Sequence, residues 1–279
     1  MSIHSTVKRV SVPQIKARKG QHKIAALTAH NSVFASLMDE ILDFVLIGDS
    51  TAMVAYGLPN TLSITVEQIA AHSAAVVRAT SHVCVIADMP FASYQKSPQQ
   101  AFENAAYLLS AGGADGVKLE GGEVMAPTIE FLVNRGIPVL AHVGLMPQHV
   151  NTMGGYKAQG MDDETAKQVM ADAVAVERAG AFAVVLEGVK EDVASTITAK
   201  LAIPTIGIGA SVACDGQILV TEDMLGLNGE NVPRFVKRYA DLASDVRQAI
   251  QRYADEVRAG AFPESKHCFG VKASSPKKP

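Results

Sequence analysis

Residues 113–122 read GADGVKLEGG, and within them Lys118 and Glu120 alternate with Val117 and Leu119. Alternate side chains of a β-strand point to opposite faces, so the lysine and the carboxylate share one face and the apolar pair takes the other. Strands of a parallel sheet are ordinarily apolar on both faces. Charges here therefore mark either an edge strand facing water or a strand that delivers chemistry at its carboxyl end. The pattern recurs along the chain. Asp49 and Ser50 follow the apolar run 44–47, and Asp88 follows 83–87. His142 closes 138–142, Glu187 closes 183–187, and a GIGAS turn at 207–211 overlaps the run 204–208.

Taken singly, each residue has a plain explanation. Asp49 and Asp88 suit caps or turns, His142 a satisfied core position, Glu187 a solvated strand end. Taken together these explanations fail, because collecting buried carboxylates is costly unless a cation or a substrate compensates. Asp49, Asp88 and Glu120 offer only oxygen donors, with His142 the one nitrogen nearby. Hard oxygen ligands select Mg²⁺ or a similar cation, which keeps positions open for water and substrate. A 2-oxo acid suits those positions, since its carboxylate and ketone oxygens can chelate one ion. Polarising the ketone acidifies the adjacent C–H. Lys118 would hold the negative oxygen as an enolate forms. Glu187, on a different strand and not needed by the metal, would be the general base. The expected chemistry is proton abstraction beside a metal-bound carbonyl.

Residues so scattered can meet only if the elements carrying them converge. From Lys23 to about Val220, short apolar runs alternate with Ala-rich segments of helical period, the rhythm of βαβ units. The reading predicts strands over 24–28, 44–47, 83–87, 116–120, 138–142, 183–187, 204–208 and 217–220. Helices are predicted over 32–41, 66–80, 98–112, 124–135, 164–179, 191–199 and 234–258. Eight strands with intervening helices predict an α/β fold, a (β/α)8 TIM barrel, whose strand ends meet at one mouth. An open doubly wound sheet fits less well, because no G-x-G-x-x-G follows the first strand. The amino ends of the strands carry few acids and bases. The long connection 143–163, rich in Gly, Pro and Met, reads as a lid or binding loop. The expected division is a lead-in over 1–22, one barrel domain over 23–267 and a disordered tail over 268–279. With 279 residues, 48% of them hydrophobic, the chain can bury one large core. A net charge of -3 gives no reason to expect nucleic acid or an anionic membrane as partner, and no apolar run reaches membrane-spanning length. Cys84, Cys214 and Cys268 lack CxxC spacing, as expected of reduced thiols in a cytoplasmic protein.

The segments VLIGDS, IADMPF, DGVKLEGG, HVGLMPQ, NTMGGYKAQG, FAVVLEG, IPTIGIGA and CDGQILV resemble, in order and spacing, those of the ketopantoate hydroxymethyltransferase family. The similarity runs from about Lys23 to His267. It implies a barrel of the phosphoenolpyruvate/pyruvate type assembled into a large homo-oligomer, commonly a decamer. It also implies transfer of a hydroxymethyl group from 5,10-methylenetetrahydrofolate to 3-methyl-2-oxobutanoate, giving 2-dehydropantoate on the route to pantothenate. By the resemblance, Asp49, Asp88 and Glu120 match the Mg²⁺ positions, while Asp49, Ser50, Asp88 and Lys118 match the oxo-acid contacts. Glu187 matches the proton acceptor, and His142 matches a site histidine on the substrate side. The sequence departs from the family's usual residues at His30, Asn31, Gly188 and Ser211, among others. Two other readings stay open. One is a C–C lyase or mutase of the same barrel class, although the KKCGH-like cysteine motif of the lyases is absent. The other is a retired barrel serving as a scaffold.

Overall fold

The computed structural model describes residues 9–229 and 232–270. The expected disordered tail therefore lies outside the described residues from Val271 on, as does the lead-in up to Lys8. The chain forms two compact units. The first runs to Thr221 and includes Pro233–Val236, and it contains the barrel. The second comprises Glu222–Val232 and the chain from Lys237 on.

Eight strands pair in sequence order, all parallel, and the eighth closes onto the first. They are β1 (Ile24–Thr28), β2 (Phe44–Ile47), β3 (Cys84–Asp88), β4 (Gly116–Glu120), β5 (Val139–Gly144), β6 (Ala183–Glu187), β7 (Thr205–Ile208) and β8 (Gly216–Leu219). The helices, in chain order, are α1 (Val12–Lys16), α2 (Ser32–Met38), α3 (Thr51–Val54), α4 (Val66–Ala79), α5 (Pro98–Ser110), α6 (Ala126–Val133), α7 (Val150–Met153), α8 (Asp163–Arg178), α9 (Glu191–Lys200), α10 (Thr221–Met224) and α11 (Leu242–Arg258). The expected (β/α)8 barrel is what the chain forms, with β1, β2, β4 and β6 at their anticipated limits. The helix expected over 234–258 begins only at Leu242, and α3, α7 and α10 were not anticipated, being too short to show a 3.6-residue period.

Period-two burial divides each strand. Val45, Ile47, Val85, Val117, Leu119, Val184 and Leu186 pack outward in the same cluster as Ile69, Val76, Leu108, Ile129, Val176 and Ile197 of the surrounding helices. Ile24, Phe44, Leu46, Ile86, Leu140, Val185, Ile206 and Ile218 form a second cluster that fills the barrel. Val12 and Ile15 of α1 join that inner cluster. Local signals start the helices where packing needs them. Thr65 accepts from Gln68 N–H at 3.3 Å and Asp162 from Thr165 N–H at 2.8 Å, while Ser97 caps α5 ahead of Pro98.

The amino ends of the strands carry more acids than expected. Asp39 accepts from Ser81, His82 and Val83 N–H, Asp115 from Val85 N–H, and Asp215 from Gly20 and Thr205 N–H and the Lys19 ammonium. Each ties a connection to a strand, as conservation of structure at that face of a barrel requires. Each accepts from at least one backbone N–H, which ties these acids to the chain connections.

Candidate active site

Strand register assembles the site before any side chain is considered. Asp88, the last residue of β3, pairs with Lys118 of β4. Glu120 pairs with His142 of β5, and Gly144 pairs with Glu187 of β6. Because Lys118 and Glu120 are two apart, both turn to the barrel interior at its carboxyl end, where β3 and β5 bring Asp88 and His142 alongside. The Lys118 ammonium donates to Asp88 Oδ1 at 2.5 Å, and the Asp49 backbone N–H donates to Asp88 Oδ2 at 2.9 Å. His142 lies between two carboxylates, with Nδ1 3.6 Å from Glu120 Oε1 and Nε2 3.3 Å from Glu187 Oε2. Asp49, Asp88, Lys118, Glu120 and His142 are buried, whereas the Glu187 side chain keeps 17% of its exposure. Gly144 permits this junction. With φ at 95°, its backbone carries the chain over Glu187, whose carbonyl would stand 2.5 Å from any added Cβ.

Burial and crowding set the charges. Burial first, then the charge of Asp88, pushes the Asp49 carboxyl up to about 8. Burial pulls the Lys118 ammonium down, but Asp88, Asp49 and Glu120 more than offset it and hold it above the usual lysine range. Burial likewise opposes charge on His142, yet Glu120 and Glu187 raise it to about 9, so the imidazolium is the charged form at neutral pH. Glu120 is held below the ordinary range: burial works against this, and His142 outweighs it. Three buried carboxyl groups thus face one ammonium and one imidazolium, and at neutral pH the raised Asp49 carboxyl keeps its proton.

Two residues that the sequence did not single out complete the cluster. Gln148, from the connection after β5, donates from Nε2 to Asp49 Oδ2 at 2.9 Å and to the Met89 carbonyl at 3.0 Å. Its backbone N–H donates to Glu120 Oε2 at 3.0 Å. Tyr94, fully buried, accepts from Glu120 N–H at 3.1 Å and donates to Gln148 Oε1 at 2.7 Å. Neither carries a charge near neutrality, so no search for titratable residues would find them. Their one signal is position, in the polar connections that follow β3 and β5. Ser50 sits at the start of α3 and caps nothing with its side chain. Its Oγ lies 2.7 Å from where a Cβ on Gly48 would stand, so a larger residue at 48 would push the Ser50 hydroxyl aside.

The predicted residues are therefore brought together, and Asp49, Asp88 and Glu120 belong to one network. They do not form a closed cage: among the described residues, no three His, Cys, Asp or Glu side chains are gathered as metal ligands. That is compatible with Mg²⁺, which is held by one or two carboxylates and fills its remaining positions with water and substrate. The donor chemistry fits such an ion, since three buried carboxyl groups gather at one point and Glu120 Oε1 is buried without a hydrogen-bond partner, 3.6 Å from His142 Nδ1. A groove of about 590 Å³ between α8 and α9, with Met170, Val174 and Val193 in its lining, includes none of these site residues.

Similarity to known proteins points the same way. The chain is 57% identical over 272 residues to "3-methyl-2-oxobutanoate hydroxymethyltransferase 1" of Pseudomonas aeruginosa (strain UCBPP-PA14), covering 98% of this chain and 100% of that one. It is 58% identical to the enzyme of the same name from Sphingopyxis alaskensis, covering 92% and 89%. Among solved structures it resembles phosphonopyruvate hydrolase in complex with oxalate and Mg²⁺, with a TM-score of 0.60 at 14% identity, covering 92% and 93%. It also resembles 2,3-dimethylmalate lyase, a PEP mutase/isocitrate lyase superfamily member, with a TM-score of 0.58 at 16% identity, covering 91% and 87%. Those two likenesses establish the fold alone. No helix among the described residues is long and apolar enough to cross a membrane. Residues 9–265 match the ketopantoate hydroxymethyltransferase family, and with near-complete relatives above 50% identity the chain belongs to that family.

Proposed function

We propose that this chain is a 3-methyl-2-oxobutanoate hydroxymethyltransferase, taking the one-carbon unit from 5,10-methylenetetrahydrofolate and releasing 2-dehydropantoate and tetrahydrofolate. The observation that carries the reading is the paired arrangement at the barrel mouth, Lys118 on Asp88 and His142 between Glu120 and Glu187, in a chain of this family. Asp49 and Asp88, with Glu120 behind them, would hold a divalent ion such as Mg²⁺. Bound there, the ion would supply Lewis-acid polarisation of the oxo-acid ketone.

The residues divide the remaining work by charge and exposure. Glu187 is the base, taking the C3 proton as the C–H electron pair moves toward the carbonyl oxygen. Its partial exposure suits a group that must meet substrate, while His142 at 3.3 Å holds its carboxylate in place. Lys118 keeps a full positive charge beside the carboxylates and faces the developing oxyanion. Ser50 and Asp49 border the oxo acid. The enolate carbon then bonds to the donor's methylene carbon, both carbon–nitrogen bonds that tie this carbon to the folate break, water supplies the hydroxyl, and the two folate nitrogens take up the proton removed from C3 and one proton of the water.

Two further parts of the reading have separate support. Val246, Ile250, Tyr253 and Val257 of α11 recur at helical spacing and are each at least 45% exposed, a stripe that a second copy of the chain would cover in a homo-oligomer, a decamer by the family resemblance. Cys84, Cys214 and Cys268 are free thiols, which suits a reducing cytoplasm.

The test is deuterium exchange at C3 of 3-methyl-2-oxobutanoate, followed by NMR with purified protein. Exchange that requires Mg²⁺ and no folate, with 2-dehydropantoate appearing once the folate donor is added, is the expected result. Metal-loaded protein that exchanges nothing would overturn the assignment. Cleavage of 2-methylisocitrate would move it to the lyase reading.

A further inference from the structure

The connection between β5 and α8 does more than border the mouth, because it places one amide in the middle of the carboxylates. Gln148 is 3% exposed, and both polar atoms of its side chain and its backbone N–H are engaged. Its orientation is fixed by its partners. The Met89 carbonyl can only accept, so Nε2 must face it, and the second Nε2 hydrogen is then directed to Asp49 Oδ2. On the other side, Tyr94 spends its acceptor on Glu120 N–H and so gives its own proton to Gln148 Oε1, which also accepts from Gln95 Nε2 at 3.3 Å.

We propose that Gln148 is a positioning residue that selects which oxygens of Asp49 and Glu120 are presented to ligand. It takes Asp49 Oδ2 through its side chain and Glu120 Oε2 through its backbone, leaving Asp49 Oδ1 and Glu120 Oε1 as the remaining oxygens. The carboxylates are thus set only when the loop carrying Gln148 is seated, which makes the loop part of the site's geometry. The residue type matters. A glutamate here would add a fourth carboxylate against Asp49 and leave Met89 without its donor. A leucine would fill the same volume but donate nothing. Groups that orient metal-ligating side chains typically govern 10- to 100-fold in metal affinity. The inference rests on Asp49 and Glu120 serving as oxygen donors in the function proposed above.

The experiment is Mn²⁺ titration of the metal-free, full-length protein, followed by the electron paramagnetic resonance of free Mn²⁺, together with thermal unfolding in EDTA. Gln148→Leu should weaken Mn²⁺ by about 10- to 100-fold, with unfolding still cooperative in EDTA at a melting temperature lowered by the hydrogen bonds lost to Met89, Asp49 and Tyr94. In the exchange assay it should raise the Mg²⁺ concentration needed for half-maximal rate more than it lowers the rate at saturation. Affinity within twofold of the natural chain would overturn the proposal while leaving the site assignment intact. Failure of the natural chain itself to bind Mn²⁺ would overturn both. If Gln148→Leu does not fold, Gln148→Met decides the matter, since it keeps the length of the side chain and removes only the amide. Weakened Mn²⁺ binding supports the role, and unchanged binding removes it.

Discussion

Lys118→Met is the most informative single perturbation, because it removes the ammonium while keeping the length and most of the volume of the side chain. In the folded chain Lys118 is 5% exposed and its ammonium is 2.5 Å from Asp88 Oδ1. Breaking a buried ion pair by deleting one partner costs about 3–5 kcal/mol, since the other charge is left uncompensated. The upper part of that range applies here. Asp49 and Glu120 both act on Lys118, and the only other cation in the cluster, His142, faces Glu120 and Glu187 rather than Asp88. For domains of about 150–250 residues, 1 kcal/mol moves the melting temperature by roughly 2–4 °C, so a fall of about 8–20 °C is expected in EDTA for a loss of about 4–5 kcal/mol. Two controls make the reasoning strict. Asp88→Asn combined with Lys118→Met should lose less than Lys118→Met alone, because the stranded carboxylate is gone. Saturating Mg²⁺ should restore part of the loss, about 2.7 kcal/mol at a hundred times its dissociation constant. Calorimetry of the natural chain and the two variants, with and without metal, reads all of this. A loss below 1 kcal/mol in Lys118→Met, or a double variant less stable than the single one, would refute the account of the cluster's charge balance.

Other consequences are equally direct. Glu187→Gln should abolish C3 exchange while leaving Mn²⁺ affinity within a fewfold, and retained exchange would assign the base to another group. His30, 2% exposed, has its pKa lowered to about 4, chiefly by burial and then by His72. Its folded pKa lies below the unfolded value of 6.5, so the neutral form's stabilisation is complete above pH 6.5 and is lost as the pH falls toward 4. That amounts to about 2 kcal/mol by pH 5. His30→Asn, which keeps a donor for Thr51 Oγ1, should shrink this drop in urea midpoints measured at pH 7 and pH 5, and an unchanged drop would exclude His30 as its source. Ile250→Asp, in the exposed stripe of α11, should reduce the mass measured by light scattering from oligomer to smaller species. An unaltered mass would show that the stripe is not the covered face.

The sequence by itself determined the periodicity, and with it the barrel. Alternation within 116–120 put Lys118 and Glu120 on one face, and eight apolar runs separated by helical segments pointed to the barrel that forms, with its strands paired in sequence order. It also marked the acids and bases, because charges at the ends of apolar strands have few structural reasons to be there. What it could not determine was contact. That Asp88 meets Lys118 and His142 bridges Glu120 and Glu187 follows from strand register, which depends on the packing of neighbouring βα units rather than on either residue. The placement of Gln148 and Tyr94 lay further still from view. A neutral amide and a phenol on connecting loops have no period and no charge to announce them, and only the closed barrel brings the loops after β3 and β5 close enough to share a hydrogen bond.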